Sequence, residues 1–166
     1  MKAVLSTRSG PPEVLQIIER EKPSPGPGEI LIKVQSATVT SGDVNLRRIP
    51  RFFQSVLGLF VGFKPMRTPG VEYAGIVEAV GSDTATYNIG DAVCGTTTGL
   101  VHGANAEYVC VPANPKTVVI ANIPEGVSFD EAAAAIVGPM TAMFILKKAG
   151  IASGQRVLVY GASGSV

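Results

Sequence analysis

The chain has 166 residues, which is enough for one domain and the start of another. With 46% hydrophobic and only 16% charged residues, the composition excludes a disordered chain. A formal net charge of +1 gives no broad electrostatic surface, so we expect no nucleic-acid partner and no stable membrane insertion.

The first part of the chain carries mostly the signals of strands and turns. We predict strands at Lys2–Ser6 and Leu15–Glu19, on either side of a Gly-Pro-Pro turn. A further strand follows the Pro- and Gly-rich turn at 24–28. Its apolar residues stand at every second position, as they do in a strand with one face buried.

Four further strands are predicted before residue 124. They cover Val71–Val80, Ala92–Cys94, Ala106–Val111 and Thr117–Ile120. Gly75, inside the first of these, predicts a bulge or a close approach of another backbone. Nineteen glycines and twelve prolines agree with many short strands joined by turns.

Residues 52–63 (FFQSVLGLFVGF) form an apolar segment without any charged residue. As a helix of about 18 Å it is too short for the roughly 30 Å core of a bilayer. The sequence leaves three alternatives open. The segment is a helix packed on its own domain, a hydrophobic cover over a ligand site, or a contact with a membrane surface.

The pattern changes from strand to helix near residue 124. Ser128 and Glu131 have the spacing of a capping box, which predicts a helix from that point. The dipeptide Gly138-Pro139 interrupts it, and Pro139 is suited to the first turn of a second helix. Gly150 is predicted to end this second helix.

The last residues combine a predicted strand with a glycine turn. Arg156–Tyr160 reads as a short buried strand, and the turn at 161–166 follows it directly. Such a strand and turn open many dinucleotide sites, in which backbone N–H groups approach a pyrophosphate. We therefore expect a cofactor domain to continue beyond Val166. The alternative is that Gly161 and Gly164 are ordinary turn glycines.

Several motifs stand in one order along the whole chain. They are Gly10-Pro11-Pro12-Glu13-Val14-Leu15, Pro27-Gly28-Glu29, Val39-Thr40-Ser41-Gly42-Asp43, Gly70-Val71-Glu72-Tyr73-Ala74-Gly75, Gly90-Asp91, Ala106-Glu107-Tyr108 and Thr141-Ala142. With the terminal strand and turn, this series resembles the medium-chain dehydrogenase/reductase superfamily. In particular, it resembles the N-terminal portion of the zinc-independent quinone oxidoreductase (zeta-crystallin-like) branch.

The resemblance implies a fold and its division. Residues 1–124 are expected to form a mainly β, GroES-like, partly open barrel that makes the substrate side of the site. Residues 125–154 are expected to be linking helices. Residues 155–166 then begin a truncated α/β Rossmann domain, of which this chain holds only the first strand.

Zinc is not expected in this chain. Its two cysteines, Cys94 and Cys110, form no Cys-x-x-Cys pair, and there is a single histidine. The zinc-dependent alcohol dehydrogenases of the superfamily have cysteine or histidine ligands where this chain has Thr40, Val71 and Val137. Hydroxyl and apolar side chains cannot replace these ligands.

The resemblance also implies the site residues. Thr40, Asp43 and Asn45 are the predicted catalytic group, although the branch usually has Asn at the first position and often Tyr at the third. Asp43 is expected to order the loop as a hydrogen-bond acceptor rather than to act as a base. Glu72 also matches the family, with a solvated or ion-paired acid as an equally weighted alternative.

Residues that contact the cofactor and the substrate are predicted in other parts of the chain. Thr141 is expected near the cofactor, the alternative being a hydroxyl that bonds back to a helix carbonyl. Phe53 and Phe60 are expected to line an apolar substrate pocket as part of a lid. The remaining predicted cofactor-binding residues are Gly161, Ala162, Ser163, Gly164, Ser165 and Val166.

The expected function is the transfer of hydride from NADPH, with NADH possible, to a quinone, an enone or a related carbonyl compound. The complete enzyme is expected to be a homodimer, and the 166 residues alone to be inactive. A cytoplasmic location is expected, since Met1–Ser6 shows no signal peptide. The alternative function is a GroES-like interaction module without catalysis, which binds a partner through residues 52–63.

Overall fold

The computed structural model describes residues 1–50, 52–56, 67–98, 103–115 and 118–166. The chain begins with a two-stranded antiparallel sheet of β1 (Lys2–Ser6) and β2 (Leu15–Glu19). A short 3₁₀ turn at Pro12–Val14 connects them. Both strands have the bounds predicted from the sequence.

A second, five-stranded sheet forms the body of the domain. Its strands are β3 (Glu29–Ala37), β4 (Glu72–Val80), β5 (Ala92–Thr96), β6 (Tyr108–Pro112) and β7 (Ile120–Asn122). All neighbours are antiparallel, in the order β6-β3-β4-β5-β7. Among the described strands β6 and β7 are unpaired edges, so the mainly β fold is confirmed and the barrel is not closed.

Both faces of this sheet are buried. Successive residues of a strand point to opposite faces, so Tyr73 and Val93 enter one core while their neighbours Ala74 and Cys94 enter another. The second core is closed by helix α2 (Phe129–Ala134), which packs on β3, β4 and β5. The first helix of the linking region therefore belongs physically to the β domain.

Gly75 allows β3 and β4 to approach each other closely. A Cβ atom at this position would lie 2.3 Å from the carbonyl oxygen of Lys33, which is closer than any real contact. The register between the two strands shifts nearby, between Val34 and Ser36. The predicted close approach at this glycine is confirmed.

The linking helices agree with the signals in the sequence. The Ser128 side chain accepts the Glu131 N–H at the start of α2, and the Glu131 carboxylate accepts the Ser128 N–H at 3.0 Å. Helix α3 (Val137–Lys148) follows, with Pro139 in its first turn as predicted. The break between the helices lies at residues 135–136, so the predicted interruption at Gly138-Pro139 is wrong in its position. Gly150 ends α3 with φ of +64°, and its N–H donates to the Lys147 carbonyl.

The predicted strand at Arg156–Tyr160 does not form, which corrects that prediction. Residues 151–166 are exposed throughout and contain turns but no strand. A β-strand is stabilised by hydrogen bonds to a neighbouring strand, and none of the described strands lies beside this segment. A second correction concerns β7, which begins at Ile120 rather than Thr117. Residue 117 lies outside the described ranges.

None of the helices in the described part of the chain is both long and apolar enough to cross a bilayer.

Candidate active site

The loop that leads into α1 (Ser41–Arg48) is ordered by a reciprocal capping box. The Thr40 hydroxyl accepts the Asp43 N–H at 3.4 Å and donates its own hydrogen to the Asp43 carboxylate at 2.9 Å. The same carboxylate oxygen accepts the Thr40 N–H at 2.9 Å. Thr40 and Asp43 therefore fix each other and the start of the helix.

Asp43 also ties this helix to the sheet. Its side chain is only 9% exposed, and its other carboxylate oxygen accepts the Gly70 N–H at 3.0 Å. Gly70 precedes β4, so one carboxylate connects α1 with the central strand of the five-stranded sheet. With both oxygens occupied by hydrogen-bond donors, Asp43 is placed to order the loop.

Asn45 differs from its two partners in the predicted catalytic group. It lies on α1 and is exposed, and its side-chain amide makes no hydrogen bond to any described residue. The hydroxyl hydrogen of Thr40, in contrast, is already donated to Asp43. Of the three predicted residues, Asn45 alone has a side-chain donor that no described residue occupies.

An apolar cavity, the α1 cavity, lies beside this loop. It has a volume of about 520 Å³, and its lining includes Val39, directly before Thr40, and Asp43 and Val44 in the first turn of α1. Leu15 and Leu46 add apolar surface, while Arg47 adds a guanidinium group. This volume is in the range of small-molecule pockets, which are mostly apolar with a few polar groups.

The apolar segment borders this cavity in an unexpected way. Residues 52–56 are helical, but Phe53 is 60% exposed and does not line the cavity. Gln54 lines it instead, and it is only 8% exposed. Its Nε2 donates to the Leu46 and Ile49 carbonyls at the end of α1, at 2.8 and 2.7 Å. Phe60 lies outside the described residues.

Gln54 is therefore inside because it satisfies carbonyls that the helix end leaves without an intrahelical partner. Hydrophobicity alone favours burial of the Phe53 ring, but the free carbonyls at the end of α1 favour burial of the Gln54 amide instead. The expectation that Phe53 faces the pocket is not met in this structure. The signal for Gln54 in the sequence was a single amide in an otherwise apolar segment.

Glu72 lies in a different environment from the solvated or ion-paired one considered as the alternative from the sequence. It is 4% exposed, and no described cation lies within ion-pair distance of it. One carboxylate oxygen accepts the Thr38 hydroxyl hydrogen, and the other accepts the Val137 N–H at 2.6 Å. Glu72 is thus buried and, among the described residues, not ion-paired, and it joins the substrate-side loop to the start of α3.

Thr141 lies one turn further along α3. Its hydroxyl donates to the Val137 carbonyl at 2.6 Å, which is the back-bonded arrangement considered as the alternative. It also lines a shallow groove of about 360 Å³ together with Thr96, Thr98 and Phe144. The residue therefore faces an accessible surface while its hydroxyl hydrogen is engaged.

The glycine turn packs against the start of α3. Gly161 has φ of +78°, and the Gly164 N–H donates to its carbonyl at 2.9 Å. A Cβ atom at Gly138 would lie 2.1 Å from the Ser165 carbonyl oxygen, so only glycine allows this contact. All six predicted cofactor-binding residues of the turn, Gly161 to Val166, are exposed.

The thiols lie outside these sites. Burial raises the pKa of the Cys94 thiol, and burial with the nearby Glu29 raises the pKa of Cys110 to about 11. Both are protonated at neutral pH, which makes them poor nucleophiles. Within the part of the chain that the structure covers, no three or more His, Cys, Asp or Glu side chains form a group able to hold a metal.

Comparison with known proteins identifies the family. The family model for the alcohol dehydrogenase GroES-like domain matches residues 26–124, more than half of the chain. The chain belongs to this GroES-like family. The match covers the five-stranded sheet, the α1 loop and Glu72, whereas Val137, the partner of Glu72 in α3, lies beyond it.

Relatives extend the similarity over the whole chain. Quinone oxidoreductase from Sus scrofa is 33% identical over 168 residues, covering 100% of this chain and 47% of the pig protein. A mycobacterial protein solved in complex with NADPH is 32% identical with a TM-score of 0.71, covering 93% of this chain and 43% of that one. The human synaptic vesicle membrane protein VAT-1 homolog-like protein is 31% identical with a TM-score of 0.79, covering 99% and 49%.

The GroES-like chain spans about half the length of the curated relatives it matches. The similarity to quinone oxidoreductases confirms the quinone oxidoreductase branch of the medium-chain dehydrogenase/reductase superfamily. It also confirms that the chain corresponds to an N-terminal portion.

Proposed function

We propose that the chain is the substrate-side portion of an NAD(P)H-dependent oxidoreductase that transfers hydride to a quinone, an enone or a related carbonyl compound. The observation that carries this proposal is the position of the α1 cavity. It is apolar, it has the size of a small-molecule pocket, and Val39, Asp43 and Val44 of the Thr40 loop and α1 line it, although Thr40 and Asn45 do not. The names of the relatives support the same activity.

A nicotinamide cofactor fits the residues at the start of α3. Gly138 leaves room for the backbone of the glycine turn, and Thr141 faces the neighbouring groove. We propose NADPH, with NADH possible, and the complex of a relative with NADPH supports this choice. When bound, the cofactor supplies the hydride.

The chain's own residues then bind and polarise the substrate. The free Asn45 amide donates to the carbonyl oxygen on which negative charge develops. Thr40 and Asp43 hold the loop in position through their capping box. We propose a zinc-independent reaction, because Thr40, Val71 and Val137 stand where the zinc enzymes have their ligands.

The activity is tested in the complete protein by following NADPH consumption with quinones and enones. We expect Asn45→Ala to lower kcat/KM by about tenfold or more, because it removes a donor to the developing charge. Arg48→Ala, at an exposed position of the same helix, is the matched control and should leave the rate unchanged. If the unsubstituted complete protein shows no turnover, the proposed activity is contradicted.

A second candidate function is an interaction module. Phe52 is 73% and Phe53 60% exposed, and their rings pack edge to face at 5.8 Å. Under this alternative the 166 residues form a dimer on their own, and Phe53→Ser dissociates it. Analytical ultracentrifugation of the unsubstituted 166-residue chain and of its Phe53→Ser variant measures the oligomeric state of each. If the 166 residues are monomeric, this alternative fails and the proposed oxidoreductase stands. For that oxidoreductase we propose that the complete protein is a cytoplasmic homodimer.

A further inference from the structure

Glu72 is a buried carboxylate that contacts Thr38 in the β domain and Val137 in helix α3. It lies at the start of β4, where the sheet pairs it with Thr96 of β5. From this rigid position its two oxygens accept from Thr38 and from Val137. A buried carboxylate costs much free energy unless its charge is stabilised, so these two contacts are energetically important.

The contact with Val137 explains how the charge is tolerated. Val137 is the first residue of α3, and the first N–H groups of a helix have no intrahelical partner. A helix of twelve residues also presents the positive end of its dipole there. The carboxylate therefore satisfies a free donor of α3 and is stabilised by the helix in return.

The two contacts connect the two halves of the candidate site. Thr38 precedes Thr40 by two residues, in the loop that leads into α1. On the other side, the Thr141 hydroxyl bonds to the carbonyl of the same Val137 whose N–H Glu72 accepts. One short series of hydrogen bonds thus runs from the substrate-side loop through Glu72 to Thr141.

We propose that Glu72 is a positioning residue that sets the distance between the Thr40 loop and the cofactor-facing side of α3. This inference rests on the proposed hydride transfer. Reaction at such a site requires the reacting atoms to lie within about 3–3.5 Å, and a misplacement of 1 Å costs about a hundredfold in rate. Glu72 acts through geometry and touches neither substrate nor cofactor.

Three substitutions in the complete protein test this role. Glu72→Gln keeps an oxygen for the Val137 N–H, and the Thr38 hydroxyl can rotate to accept from the new amide. Glu72→Ala removes both contacts, while Thr38→Val removes one. The control is Glu78→Ala on the same strand, where the exposed carboxylate pairs with Lys22 instead.

We expect Glu72→Ala to lower kcat at least tenfold, with a much smaller change in the KM of the quinone. Glu72→Gln should stay within about threefold of the unsubstituted protein, and Thr38→Val should lie between the two. Hydrogen exchange of a peptide covering residues 136–141 should be faster in Glu72→Ala and unchanged in Glu72→Gln and in the control. This exchange reports the start of α3 directly.

Normal kcat in folded Glu72→Ala would overturn the proposal, as would a loss of kcat in Glu72→Gln as large as in Glu72→Ala. If Glu72→Ala does not fold, Thr38→Val decides: a kcat equal to that of the unsubstituted protein would overturn it. If the unsubstituted protein shows no NADPH oxidation, the proposed function fails. The exchange measurement then shows by itself whether Glu72 holds α3.

Discussion

At the scale of single residues, the site is organised by hydrogen-bonding groups that are already paired. Thr40 and Asp43 are hydrogen-bonded to each other, Asp43 also accepts from the Gly70 N–H, and the Thr141 hydroxyl donates within its own helix. Of the predicted catalytic group, Asn45 alone has a side chain without a hydrogen bond to the described parts of the chain. The residues that position the site are therefore distinct from the residue that is free to contact a substrate.

Thr40 and Asp43 should contribute unequally to stability. Thr40→Ala removes a helix cap and should lower the free energy of unfolding by about 1 kcal/mol. Asp43→Ala also leaves the Gly70 N–H unpaired in a buried position, which adds about 1–3 kcal/mol. Urea denaturation measures both, with Ser128→Ala as the control cap on α2. Equal losses for the two α1 variants would contradict the role of Gly70.

The Cys110 thiol should react slowly with alkylating reagents. Its pKa is raised from 9.0 to about 11, so near pH 8 the reactive thiolate is about a hundredfold scarcer than in an unshifted cysteine. The rate of iodoacetamide labelling should rise about tenfold for each pH unit and level off only near pH 11. Mass spectrometry of the Cys110 peptide measures it, and a plateau near pH 9 would contradict the shift.

At the scale of elements, the ends of helices determine which side chains face inward. Gln54 is buried because α1 ends with free carbonyls, and Glu72 is buried because α3 begins with free N–H groups. In each case a polar side chain from another element completes the helix. The same rule explains why the two aromatic residues beside Gln54 stay outside.

Substitutions of the neighbouring residues 53 and 54 should differ strongly in their effect on the free energy of unfolding. Gln54→Ala removes two hydrogen bonds to the end of α1 and should lower the free energy of unfolding by about 1–3 kcal/mol. Phe53→Ala removes an exposed ring and should change it by less than about 0.5 kcal/mol. Thermal and urea unfolding measure the pair. A larger loss for Phe53→Ala would mean that the ring is packed in solution.

Local features were predictable from the sequence, and distant contacts were not. The capping box of α2 depends on two residues only three positions apart. The close approach at Gly75 depends on the lack of a side chain at that one position. Glu72 finds Val137 sixty-five residues away, a partner that no local pattern indicates. The strand at Arg156–Tyr160 had the right composition, but a strand also needs a neighbour.

At the scale of the whole molecule, the linking region is divided between two environments. Helix α2 completes a core of the β domain, whereas α3 leaves Met143, Phe144 and Ile145 exposed. Helix α2, which follows the predicted boundary at residue 125, packs on the β domain, although it lies beyond residues 26–124 that match the GroES-like family.

The 166 residues alone should not oxidise NADPH with any quinone. They supply the Thr40 loop, Thr141 and one glycine turn, and the chain spans about half the length of its relatives. We expect the complete protein to be active under the same conditions, with absorbance at 340 nm as the readout. Turnover above background by the purified 166-residue chain would contradict this division of the site.

The unpaired edges of the five-stranded sheet bear on how the protein behaves when concentrated. An open edge can recruit strands from other copies and seed aggregation. Here β7 spans only three residues, and β6 ends at Pro112, which has no N–H to donate. Both edges thus offer little for another strand to extend, which disfavours polymerisation of crowded copies through this sheet.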